Sequence, residues 1–176
     1  RRSYGSEPAE VLPTMPCDFR IGSVHAAAGR YLFNLPKEPA PANHDLRELL
    51  AEYLAEVEAL AASNLASTIG HFDCVYKQLP GLVRPLRDEK YWRQVERILA
   101  MCVETGTALE VNTHHMLDRA LEMAADVEIL RRYRALGGRR VTVGSDAHRR
   151  EDLRHNFAAA EQALWAAGFD AVTGFE

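Results

Sequence analysis

At 176 residues the chain has room for one domain, 1–176, with a sizeable core and little left for a second. Its 47% apolar and 26% charged content are ordinary for a globular protein, and a net charge of −4 without a dense Lys/Arg patch gives nucleic acid no electrostatic footing. No apolar run approaches the ~18–20 residues that cross a bilayer, and no signal-peptide h-region opens the chain. The cysteines, Cys17, Cys74 and Cys102, are odd in number and form no CxxC pair, which fits a reducing cytosol better than a disulfide framework. The first residues, "RRSYGSEPAEVLPTMP", lack an initiator Met and the start of any element, as expected of a piece of a longer protein.

From Cys17 the pattern alternates. "CDFRIGSVH" reads as a strand ending at His25, followed by the Pro-rich loop "NLPKEPAPAN". Asn43 is placed to cap a helix over 44–63, where Leu46, Leu49, Leu50, Tyr53, Leu54, Val57 and Leu60 keep helical spacing. "LASTIGH" is a second strand ending at His71. Asp88 can cap a helix that carries Trp92, Val95, Ile98, Leu99 and Cys102 on one side and stops at Gly106. "TALEVNTHH" is a third strand, "AADVEILRRYRALGG" a third helix, "RRVTVGSDAH" a fourth strand, "EDLRHNFAAAEQALWAAG" a fourth helix and "DAVTGF" a fifth strand. Strands separated by helices imply parallel pairing through right-handed crossovers, so the class is α/β. An open doubly wound sheet and a β/α barrel both satisfy that pattern.

The polar residues carry more information. His25, His71, the Asn112–His115 group and the Asp146/His148 pair all fall just past the C-terminal ends of strands. In a parallel sheet those ends share one edge, so four loops deliver imidazole and carboxylate to one place. Asp146 and His148 are two residues apart, the side-chain repeat of extended chain, and would face one way. An isolated histidine is more often a capping or core-edge residue. Convergence of several favours a metal site of N and O donors, suited to Zn, Mn or Fe(II). Cys74 reads as a small buried residue rather than a ligand. Of the adjacent His114 and His115 at most one can face the site, in substrate contact or behind the ligands. His44 and His155 read as structural or solvated. Arg149 and Arg150 form a solvated charge cluster or, beside a metal, a hold for phosphate oxygens, and Lys77 could serve similarly. A Ser145 nucleophile would need a base and an oxyanion hole, and no G-x-S-x-G elbow is present.

The motifs "IGSVH", "GHFD", "ALEVNT" and "VTVGSDAHRREDL", followed by "AGFDAVTGFE", together resemble the PHP superfamily of metal-dependent phosphoesterases, nearest to its histidinol-phosphatase branch. The resemblance runs from Cys17 nearly to the end. It implies a distorted (β/α)7 TIM-like barrel of the PHP type with a cluster of up to three divalent ions at the C-terminal ends of the strands. His25 matches the ligand of the "SVH" motif, His71 that of "GH", and Asp146 and His148 those of "DAH". From the residues themselves, Asp146 and His148 are the expected catalytic pair, and Arg149, Asn112 and His114 the expected substrate contacts. The family's opening H-x-H motif and the ligands that follow it are not found before His25, so an incomplete barrel lacking the first strands is expected. "AAAGRYLF" and "NTHH" also differ from the branch pattern around the substrate.

The implied activity is hydrolysis of L-histidinol phosphate to L-histidinol and phosphate in histidine biosynthesis, by a cytoplasmic enzyme whose partner is a small phosphorylated substrate rather than nucleic acid or membrane. The 176 residues alone are expected to show negligible turnover and weak metal binding. Three rivals stand beside this: another PHP-type phosphoesterase, a degenerate non-catalytic PHP module, and an α/β domain with coincidental histidines.

Overall fold

The computed structural model describes residues 14–27, 29–32, 43–72, 74–75, 88–114 and 120–174. In chain order the elements are β1 (Ile21–Gly22), β2 (Ala26–Ala27), β3 (Arg30–Tyr31), α1 (Asn43–Ala62), β4 (Thr68–Ile69), α2 (Glu89–Thr105), β5 (Ala108–Asn112), α3 (Ala120–Ala135), β6 (Val141–Gly144), a 3-10 turn (Arg150–Asp152) and α4 (Phe157–Ala166). No helix of the described residues is long and apolar enough to cross a membrane.

β1, β4, β5 and β6 form a parallel sheet in the order β1-β4-β5-β6. Each new strand joins on the same side as the last. A doubly wound sheet instead reverses at a switch point, and no reversal occurs among the described residues. Among the described residues the sheet has four strands, and closure into a full barrel is not seen. α1 packs on α2, α2 on α3 and α3 on α4.

The two faces of the sheet divide by alternation. Ile69, Leu109, Val111 and Val141 join Leu50, Val57, Val95, Ile98, Leu99, Cys102, Leu130, Tyr133 and Leu164 in one apolar core beneath the helices. Thr68, Ala108, Glu110, Asn112 and Thr142 occupy the alternate positions. There the Thr68 and Thr142 hydroxyls, on strands separated by β5, lie 3.1 Å apart. Alternate strands of a flat sheet are about 9–10 Å apart. The sheet therefore curls, concave on its polar face.

Local signals were mostly obeyed. α2 buries Val95, Ile98, Leu99 and Cys102 as spaced, and Gly106 ends it in the left-handed conformation, φ 71°. Asp88 has the extended backbone of an N-cap but makes no side-chain cap bond; its carboxylate pairs with Arg47 of α1 instead. The strands are shorter than expected. Residues 170–174 form no strand, and a hydrogen bond from Thr173 N–H to the Val141 carbonyl (2.7 Å) lays this segment against β6.

Two differences are local rearrangements. The loop expected after His25 holds an antiparallel hairpin, β2 with β3, turning through Gly29 at φ 72°. The helix expected from Glu151 begins only at Phe157. Arg154 and Asn156 sit at φ 62° and 57°, which breaks the helix. The gain is tertiary: Thr113 Oγ1 donates to the His155 carbonyl (2.6 Å), and Asn156 Nδ2 donates to the Thr113 carbonyl (3.1 Å).

Leu99 is fully buried where α2 meets the sheet. Leu99→Ala is expected to lower stability by about 2–5 kcal/mol, read from the denaturant midpoint.

Candidate metal centre

Parallel pairing places the ends of four strands along one edge, and each end carries candidate site residues. His71 and Asp146 lie two residues beyond Ile69 and Gly144, the last residues of β4 and β6. Both have positive φ, 31° and 47°. His and Asp tolerate this region better than most side chains, yet two such residues at matching positions mark a shared device. His25 follows β1, and its carbonyl accepts a hydrogen bond from Leu32 N–H (2.9 Å) across the β2–β3 hairpin.

His25 and His71 meet. Their Nε2 atoms are 3.1 Å apart and the rings contact edge to face at 4.8 Å between centroids. Two imidazole donors sharing one tetrahedral ion at about 2.0–2.1 Å would have nitrogens about 3.3 Å apart. Burial, then the neighbouring His71, pulls the His25 pKa below its ordinary value, while the Asp146 charge opposes the shift. A depressed pKa favours the neutral ring, the form of imidazole that ligates a cation.

Asp146 and His148 form the second group. Asp146 Oδ1 is 3.7 Å from His148 Nε2, with side chains 39% and 75% exposed. Their proximity does not come from strand alternation, since β6 stops at Gly144 and Asp146 is left-handed rather than extended. His114 reaches this group, its ring edge-on to His148 at 5.5 Å. Asn112 is buried; its Oδ1 accepts from His114 N–H (3.1 Å) and its Nδ2 donates to Glu110 Oε2 (3.4 Å). Arg149 is exposed beside the pair. Cys74 is buried, and burial, with the Asp146 charge, pushes its thiol up to about 12, which keeps it protonated and poorly suited to ligation.

The sequence-derived residues thus come together as two groups, His25 with His71, and Asp146 with His148 and His114. Among the described residues no three His, Cys, Asp or Glu side chains gather closely enough to hold an ion by themselves. His115, Lys77 and Asp73 lie outside the described residues. At the opposite edge a polar cavity of about 320 Å³, lined by Arg20, Ser67, Thr107, Arg140 and Thr173 among others, contains none of the candidate ligands.

Two residues were overlooked in the sequence. Glu110 accepts a hydrogen bond from His71 N–H at 2.8 Å. Tyr53 donates from its buried hydroxyl to the Phe72 carbonyl (3.2 Å) and the His71 carbonyl (3.4 Å). A signal for Glu110 existed: a carboxylate at the centre of an apolar strand, on the same face as Asn112. Tyr53 gave none, since it fits the apolar stripe of α1.

No family model matches the chain. It is 23% identical over 144 residues to a protein named "Probable histidinol-phosphatase" from Clostridium acetobutylicum, covering 81% of this chain and 55% of that protein. It is 29% identical over 136 residues to one of the same name from Thermotoga maritima, covering 77% and 50%. The chain therefore spans about half the length of the curated relatives it matches. The fold matches the crystal structure of histidinol phosphate phosphatase from Lactococcus lactis, complexed with Zn, L-histidinol and phosphate, at a TM-score of 0.73 and 22% identity, over 100% of this chain and 66% of that one. The chain is thus similar in sequence to two proteins named as probable histidinol-phosphatases, and its fold is that of a solved histidinol phosphate phosphatase.

Proposed function

We propose that this chain carries part of the active centre of a metal-dependent histidinol-phosphatase, which hydrolyses L-histidinol phosphate to L-histidinol and inorganic phosphate. The observation that carries the proposal is the facing His25 and His71 Nε2 pair, 3.1 Å apart at the ends of neighbouring strands. The names of the sequence relatives support the reaction, and the ligands of the structural neighbour support the substrate class.

On this reading the curled sheet is a portion of a distorted PHP-type barrel. His25 and His71 hold one divalent ion, Zn, Mn or Fe(II), and Asp146 and His148 contribute to others in a cluster of up to three. When bound, the cations would neutralise phosphate charge and lower the pKa of a water for attack at phosphorus. This chain's residues supply the setting. Arg149, exposed at the rim, pairs with the phosphate oxygens. His114 contacts the substrate beside His148, and Asn112 acts there by fixing the His114 turn. A water oxygen bonds to phosphorus as the P–O ester bond breaks, and a proton of that water ends on the leaving alkoxide. The free thiols, Cys17, Cys74 and Cys102, fit the reducing cytoplasm. The 176 residues alone would turn over slowly if further ligands lie elsewhere in the protein.

In the full-length protein, stripping metal and restoring Mn²⁺ or Zn²⁺ should abolish and recover phosphate release from histidinol phosphate, and Asp146→Ala should remove it. No release from this ester with metal still bound would move the activity to a different phosphate ester. Arg149→Ala should raise KM about tenfold or more, the loss of one charge-assisted contact, with metal content unchanged.

A further inference from the structure

We infer that Glu110 and Tyr53 are positioning residues that clamp the peptide of His71 from both sides and so hold its imidazole against His25. The inference rests on the metal-centre reading above and adds to it two residues absent from the ligand set.

The argument starts from backbone strain. A histidine at φ 31° lies outside the well-populated regions and persists only where its surroundings over-determine it. The surroundings supply both halves of that constraint. On one side the Glu110 carboxylate takes the His71 N–H at 2.8 Å, a charge-assisted bond. On the other, the His71 carbonyl accepts from Cys74 N–H at 2.8 Å and, at 3.4 Å, from the hydroxyl of Tyr53, 1% exposed on α1, which also donates to the Phe72 carbonyl at 3.2 Å. With its N–H and C=O both engaged, the residue cannot rotate to an ordinary φ without breaking a buried bond. Its ring is thereby aimed over the sheet edge at His25.

Gly144 makes room for the clamp. A Cβ there would stand 2.2 Å from Glu110 Oε1, so the carboxylate lies directly over the glycine. The same carboxylate accepts from Asn112 Nδ2 (3.4 Å), whose Oδ1 takes His114 N–H. Glu110 therefore ties together the β4 end, the β5 end and the β6 end, and links the His25/His71 pair to the His114/His148 pair.

The test uses the full-length protein with two readouts: hydrogen exchange at the His71 amide, and Zn²⁺ affinity by chelator competition. Glu110→Ala should speed exchange at His71 and weaken Zn²⁺ binding about 10–100-fold, the usual range for a residue orienting a ligand. Gly144→Ala should do the same by displacing the carboxylate. Glu110→Gln, whose amide oxygen can accept the same bond, should keep most of the affinity. Tyr53→Phe should speed exchange at the following amides and provides a second reading if Glu110→Ala does not fold. Unchanged His71 exchange in Glu110→Ala would overturn the clamp. So would equal loss of Zn²⁺ in Glu110→Gln and Glu110→Ala, because the carboxylate would then be a ligand itself. If His71→Ala leaves Zn²⁺ affinity unaltered, the metal reading fails, and the exchange arm still decides the clamp.

Discussion

The site depends on parallel pairing of a sheet that winds in one direction. Because β1, β4, β5 and β6 run the same way, their C-terminal ends share an edge. Because the sheet never reverses, the helices stack in series on one face and leave the other free to curl. The Thr68 and Thr142 hydroxyls, meeting across β5, measure that curl directly. Curling also draws the strand ends inward, so that the Asp146 charge after β6 acts on His25 after β1. Apolar burial under the helices drives the folding of this layer, while the polar face is free to be specified by hydrogen bonds.

Those bonds must offset a local cost. Left-handed backbone at His71 and Asp146 costs on the order of 1–3 kcal/mol each. A hydrogen bond to a charged group contributes about 1.5–3 kcal/mol and a neutral one about 0.5–1.5 kcal/mol. The Glu110 and Tyr53 bonds at the His71 peptide are thus of the right size to hold one strained residue. At Asp146, more exposed, the strain is smaller because aspartate accepts this conformation readily.

What could be read in advance followed periodicity and punctuation. The α2 stripe of Val95, Ile98, Leu99 and Cys102 and its stop at Gly106 are properties of local sequence, and both appear as read. Four of the five expected strands followed too, in shorter form, since β-branched runs such as Val141-Thr142-Val143 have few alternatives, whereas residues 170–174 form no strand. What escaped the sequence was set by distant partners. The helix start at Phe157 is fixed by the Thr113 bonds to His155 and Asn156, more than forty positions away in the chain. Asp88 forgoes its cap for Arg47. At the site, His25, His71, Asp146 and His148 were visible because each chemistry-bearing residue ends a strand. Glu110 was hidden because its role lies in a backbone contact across the sheet, and Asp146 approaches His148 through a left-handed turn rather than by alternation.

The two groups at the edge differ in a way that bears on how a substrate enters. His25 and His71 are largely enclosed, meet at 3.1 Å and are braced through the hairpin on one side and Glu110 on the other. Asp146 and His148 stand further apart, at 3.7 Å, and His148 is three-quarters exposed with Arg149 next to it. On the proposed reading the enclosed pair fixes an ion, and the open pair with its arginine faces incoming phosphate. The contrast between the enclosed and the open pair follows from their settings: the β4 end is hydrogen-bonded to Glu110 and Tyr53, whereas Asp146, His148, Arg149 and Arg150 after β6 are exposed.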